Sequence, residues 1–202
     1  MKLMNIAILA SGNGSNFEVI AKAVKRGYIK ASIKALITDK ENAFVRKRAK
    51  RSKINDIFID PKKTGSRCEF DEKIAKILKN EKIDLVVLAG FMRILSAGFV
   101  KKFRNRILNI HPALLPAFKG ENAIERAFKY GCKITGVTVH FVDEKVDNGP
   151  IVLQEAIKIK KGESLGKLEE RMHNLEHKLY PLAIKLFTER RIKIKNHNVE
   201  TI

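Results

Sequence analysis

Ile6-Ala7-Ile8-Leu9-Ala10-Ser11-Gly12-Asn13-Gly14-Ser15-Asn16-Phe17 decides the fold. It opens as a short apolar run rich in β-branched residues, turns through two glycines, and continues with Phe17, Ile20, Ala21 and Val24 at helical spacing. A buried strand leading through a tight turn into a helix is the first half of a β-α-β unit. The unit recurs downstream. Ile33 to Ile37, Asp56 to Ile59, Leu85 to Ala89 and Ile107 to Ile110 read as further buried strands, and Phe70, Ile74, Ile77 and Leu78 as the apolar face of another helix. Alternation of this kind calls for an α/β fold, a mostly parallel twisted sheet flanked by helices.

The pattern changes in the second half. Ile134 to Phe141 and Ile151 to Ile159 read as longer strands joined through the turn residues Asp147, Asn148, Gly149 and Pro150, and they are expected to pair antiparallel. A long C-terminal helix is expected after Ser164, a fitting N-cap, with Leu165, Leu168, Met172, Leu175, Leu179, Leu182 and Leu186 as its stripe, the regular seam ending near Pro181. No repeat or linker breaks the chain, so a single domain over 1–202 is expected, with a phosphate-binding half (1–100), a catalytic half (101–189) and a loosely attached basic tail (190–202).

With 45% hydrophobic residues in 202, the chain is long enough to bury a core. Its apolar runs are too short to cross a bilayer and its first residues lack the regions of a signal peptide, so the expectation is a cytoplasmic protein that meets no membrane. Cys68 and Cys132 have no thiol partner nearby in sequence and read as reduced. The excess of 41 Lys+Arg over 22 Asp+Glu, a net +19, favours anionic partners. The basic residues are scattered and lack interleaved aromatics, which argues against nucleic acid.

Four segments carry candidate chemistry. Ser11 to Asn16 exposes backbone N–H groups at a helix start, which suits a phosphate; no Gly-Lys-Ser/Thr follows, and Phe17 stands where a dinucleotide fingerprint needs its third glycine. Asn109-Ile110-His111-Pro112 ends a strand where open α/β sheets bind ligands, and residues two apart on a strand face the same way. An amide and an imidazole there suit a tetrahedral acyl-transfer intermediate, one donating to the oxyanion, the other holding or passing a proton. In Asp143 to Pro150, a carboxylate near His111 would raise the histidine's pKa; spacing alone does not select which one. His173-Asn174-Leu175-Glu176-His177 matches the H-x-x-E-H spacing of inverted zinc peptidases, but acidic residues are sparse beyond it, so a structural or substrate-binding role is favoured over metal.

Taken in order, Ile8 to Asn16, Val86 to Leu95, Leu108 to Pro116, Val139-His140-Phe141-Val142 and Asp147 to Ile151 make the chain resemble the folate-dependent phosphoribosylglycinamide formyltransferases. The resemblance implies a Rossmann-like formyltransferase fold, and transfer of formyl from 10-formyltetrahydrofolate, as co-substrate, to the amine of phosphoribosylglycinamide in purine synthesis, with no metal. It assigns catalysis to Asn109, His111 and Asp147. Gly14, Ser15 and Asn16 would hold the phosphate, and His173, Asn174, Leu175 and Glu176 the glycinamide and ribose. Arg67, Met92, Arg93, Ile94, Leu95, Asn109 and the loop Asp143, Glu144, Lys145, Val146 and Asp147 would line the folate site. A monomer or weak homodimer is expected. Asn148 replaces the middle glycine of the family's Asp-Gly-Gly loop, where it is expected to tolerate a left-handed backbone; His173 and Ala113 also depart from common family residues. Methionyl-tRNA formyltransferase and formyltetrahydrofolate deformylase share the Asn-x-His-Pro core but normally carry a further domain. A non-catalytic anion-binding module is the rival from another class.

Overall fold

The computed structural model describes residues 3–202, and the chain divides into two compact units, one ending at Asn109 and one beginning at Ile110. In the first, Met4–Leu9 forms β1, Ala31–Thr38 β2, Asp56–Phe58 β3 and Leu85–Leu88 β4, while Ile107–His111, β5, runs on into the second unit. All these strands pair in parallel, in the order β3-β2-β1-β4-β5. Strand order reverses beside β1, which has β2 on one side and β4 on the other. Open α/β sheets form their ligand crevice at such a reversal, outside the carboxyl ends of the strands. Ile6, Ile8 and Leu9 of β1 and Val86 and Val87 of β4 are fully buried, as strands covered on both faces require.

Helices follow the strands: α1 (Ser15–Lys25), α2 (Phe44–Arg51), α3 (Arg67–Asn80) and α4 (Ala97–Lys102). The α1 face expected from the sequence is the one buried, through Phe17, Ile20 and Ala21. Ser66 caps α3 by accepting from Glu69 N–H, and Glu69 returns a carboxylate to Gly65 N–H at 2.7 Å, a reciprocal arrangement that satisfies two orphan donors. Helix α2 was not anticipated. Its sequence, FVRKRAKR, buries only Val45 and Ala49, too few positions to show a helical period amid so much charge.

In the second unit, α5 (Ala123–Tyr130) precedes β6 (Ile134–Phe141) and β7 (Ile151–Lys158), which pair antiparallel as expected. Helix α6 (Leu165–Thr188) starts at the anticipated cap, Ser164 Oγ accepting from Lys167 N–H. It carries the expected stripe on to Leu186, with Pro181 inside it. An interior proline costs about 3 kcal/mol, yet Leu179, Tyr180, Ala183, Ile184 and Leu186 around it are all buried. Each large apolar side chain removed from water contributes about 1.5–3 kcal/mol, so packing outweighs the lost hydrogen bond. Nor is the tail loose: β8 (Ile192–Lys195) and β9 (Asn198–Thr201) form an antiparallel hairpin, closed by Ile202 N–H on the Arg191 carbonyl.

Candidate active site

In the first unit the turn after β1 meets the loop after β4. Ser11 N–H donates to the Gly90 carbonyl, and Ser11 Oγ accepts from Met92 N–H at 2.9 Å. Gly14 caps α1 in a left-handed conformation with φ 78°. A Cβ built on it would lie 2.3 Å from Val45 Cγ2, so both backbone and space demand glycine. The first intrahelical bond of α1 is Glu18 N–H to the Gly14 carbonyl; the preceding amides open the helix, where its dipole favours an anion. Arg48 of α2 braces this turn, donating to the Asn13 carbonyl and to Asn13 Oδ1 and pairing with Glu18. Sequence reading missed Arg48 because it sits in an unrecognised helix among other basic residues.

Met92 and Ile94 are 68% and 61% exposed, while Leu95 is buried. Of this apolar trio, Leu95 belongs to the core and only Met92 and Ile94 present free surface. The Arg93 guanidinium stacks on the Phe70 ring at 4.6 Å, a cation-π contact that helps fix the loop. Arg67 is exposed in the first turn of α3. Asn109 is half-buried on β5, two residues before His111.

The second unit holds the imidazole and the carboxylates. His111, 4% exposed, places Nδ1 3.3 Å from Asp147 Oδ2 and donates from Nε2 to the Phe118 carbonyl at 2.9 Å. Asp147 Oδ2 also accepts from Gly120 N–H at 2.8 Å. His140, almost completely buried, lies on the other oxygen, Nε2 3.6 Å from Asp147 Oδ1. Asp147 thus emerges as the loop carboxylate that meets His111. Asp143 serves the loop itself, accepting from Lys145 N–H and from Asn148 Nδ2, and Glu144, Lys145 and Val146 are exposed. It is Asp147, with φ 46°, that takes the left-handed backbone expected of Asn148; Asn148 instead bridges Asp143 and Lys119 through its amide.

Charge in this cluster is balanced against burial. Burial is the largest influence on His111 and pushes its pKa down; Asp147 and the Phe118 carbonyl push up, and the net direction is down. The expected rise therefore holds for the carboxylate's influence alone, not for the residue. For Asp147 burial pushes upward, but hydrogen bonds from His140 and Gly120 and the charge of His111 together hold it below the usual carboxylate range. On α6, His173 Nδ1 lies 3.2 Å from Glu176 Oε2. That bond raises the His173 pKa against burial. Glu176 and Leu175 are buried, Asn174 exposed. Among the described residues no three His, Cys, Asp or Glu gather to hold a metal, and no helix is long and apolar enough to cross a membrane.

A parallel α/β sheet entered through a glycine turn, with a buried imidazole–carboxylate pair following Asn109, defines the class. The chain belongs to the formyl transferase family, which it matches over residues 4–184. Within that family it is similar to phosphoribosylglycinamide formyltransferase of Bacillus subtilis (strain 168), 42% identical over 91% of this chain and 94% of that protein. It is also 41% identical to the trifunctional purine biosynthetic protein adenosine-3 of Gallus gallus, over 95% of this chain but 19% of that larger protein. The crystal structure of glycinamide ribonucleotide transformylase 1 from Symbiobacterium toebii superposes with a TM-score of 0.96 at 40% identity, covering 99% of this chain and 94% of that one.

Proposed function

We propose that this chain transfers the formyl group of 10-formyltetrahydrofolate to the amine of phosphoribosylglycinamide. The observation that carries the reading is the buried His111–Asp147 pair at 3.3 Å, at the end of a strand that also bears Asn109, in a chain of the formyl transferase family. The amine attacks the formyl carbon, forming a C–N bond and placing negative charge on the formyl oxygen. Asn109 and protonated His111 stabilise that oxyanion by donating hydrogen bonds, His111 turning its Nε2–H from the Phe118 carbonyl to the developing charge. Asp147 favours the charged imidazole and helps relay the amine's proton through water to the folate nitrogen as its C–N bond breaks. Dry surroundings strengthen each of these interactions.

Phosphate binding falls to Gly14, Ser15 and Asn16 at the start of α1, and the glycinamide and ribose to His173, Asn174, Leu175 and Glu176. Exposed Met92 and Ile94 suit an aromatic heterocycle, with Arg67, Arg93, Leu95 and the loop Asp143 to Asp147 completing the folate set. The full chain incubated with both substrates is expected to release tetrahydrofolate only when both are present. His111→Ala and Asp147→Asn are each expected to reduce turnover by at least about a hundredfold, the lower range of general acid–base catalysis, while the protein stays folded. Release with the folate alone would make it a hydrolase, and wild-type rates in both variants would overturn the assignment.

A further inference from the structure

His140 has no part in the steps above. It lies on β6 with 1% of its surface exposed, its Nδ1 2.8 Å from the Phe141 carbonyl oxygen and its Nε2 3.6 Å from Asp147 Oδ1. A carbonyl oxygen only accepts, so Nδ1 carries the hydrogen. A neutral ring with that proton has a bare Nε2, which would aim a lone pair at a carboxylate oxygen in a dry site. Protonation of both nitrogens removes the conflict. His111 faces Asp147 in a similar way, with Nε2–H on the Phe118 carbonyl and Nδ1 toward Oδ2, but Oδ2 already accepts from Gly120 N–H and does not depend on a proton from His111. The carboxylate therefore has one imidazole at each oxygen, each with its far nitrogen committed to the backbone. Two charged rings so close repel one another, and burial already disfavours charge on His111.

The geometry points to His140 as a positioning residue for Asp147: its doubly protonated ring faces Oδ1, balances the carboxylate's charge, and leaves Oδ2 directed at His111. This role rests on the catalytic reading of His111 and Asp147. The charged and titratable groups around the cluster are His111 from β5, Asp147 from its loop, and Glu176 of α6, which acts on His111 through space. On β7 the residue opposite His140 is Ile151, and the acidic Glu155 stands opposite Val137. Loss of the His140 charge removes an attraction that holds the Asp147 pKa down and a repulsion that lowers the His111 pKa. Both groups would then titrate at higher pH.

Nitrogen-15 NMR of the imidazoles in the full wild-type chain tests the protonation state without reference to activity. Both His140 nitrogens are expected to show N–H character at pH 7, and a bare Nε2 would overturn the proposal. Kinetics then test the role. His140→Ala is expected to lower kcat about tenfold, with KM for both substrates within about twofold, and to move both limbs of the kcat–pH profile upward by on the order of one unit. His140→Asn, which restores an N–H donor without charge, is expected to recover part of kcat and keep the shifted limbs. Unshifted limbs in folded His140→Asn would refute the positioning role. Wild-type turnover in Asp147→Asn would instead refute the catalytic reading beneath it, while leaving the NMR result intact.

Discussion

Gly14→Ala is the sharpest perturbation of the turn proposed to hold phosphate. Two costs add at this position. The backbone at φ 78° is strained for any residue bearing a Cβ, by roughly 1–2 kcal/mol. The new methyl would also sit 2.3 Å from Val45 Cγ2, 2.5 Å from Val45 Cβ and 3.0 Å from Val45 Cα, and overpacking of this kind costs about 1–3 kcal/mol. The sum is about 2–5 kcal/mol of unfolding free energy, read from urea denaturation midpoints at unchanged slope. Val45→Ala in the same background separates the two costs. It removes Cγ2 but leaves Cβ and Cα within 3.0 Å of the added methyl, so the double variant should recover only part of the loss. The α1 amides must shift with the turn, and KM for the phosphorylated substrate should rise more than KM for the folate. A Gly14→Ala protein within about 0.5 kcal/mol of wild type, the ordinary range of surface substitutions, would refute both the left-handed cap and the contact with α2.

At Gly149 a Cβ would lie 1.9 Å from the Phe141 carbonyl oxygen and 3.1 Å from Asp143 N. Gly149→Ala must therefore displace the loop that carries Asp147, and kcat should fall about tenfold or more as that carboxylate leaves His111; an unchanged kcat would show that the loop yields elsewhere. His173 is tied to Glu176, which raises its pKa above the ordinary 6.5. A raised folded value means that the bond's stabilisation is complete below pH 6.5 and is lost as pH rises through the folded value. Stability of wild type minus His173→Gln, followed by denaturation across this range, should decline with rising pH; a rising difference would reverse the sign. The effect is expected to be small because the His173 side chain is 53% exposed.

Legibility of the fold followed the number of apolar positions each element offers. The strands of the first unit announce themselves because both faces are buried, as in the fully buried Leu85 to Val87, and no polar alternation masks the run. Helix α6 shows its stripe for the same reason. Helix α2 does not, with two buried residues among five Lys and Arg, and the turn-bracing Arg48 was hidden with it. Helix α4, six residues long with Phe99 and Val100 buried, offers too short a window for a period to appear. Pro181 does not end α6, as the stripe running on to Leu186 suggested, because its cost is local and the tertiary packing around it offsets that cost. The hairpin β8–β9 escaped because alternating Ile192, Lys193, Ile194 and Lys195 were read as charge, although a period of two is also a strand's signature.

The candidate site divides along another line. The amide and the imidazole could be named from the sequence because few alternatives stood at the right strand end; spacing left the carboxylate open within the loop 143–150, and only the family resemblance pointed to Asp147. The mutual control of the three could not be read there. Whether burial or Asp147 governs His111 depends on how dry the cluster is, and here burial prevails. A family motif draws attention to residues that touch substrate. His140 shares its carboxylate with His111 but makes its case only through the direction of each ring nitrogen: one at the Phe141 carbonyl, the other at Asp147. A buried carboxylate that must stay ionised needs compensating positive charge or hydrogen-bond donors, and His111 alone is a poor permanent source if, as proposed, its proton goes to the reacting oxygen. On that proposal, the second imidazole at the far oxygen would let Asp147 keep its charge while His111 gains and loses its own.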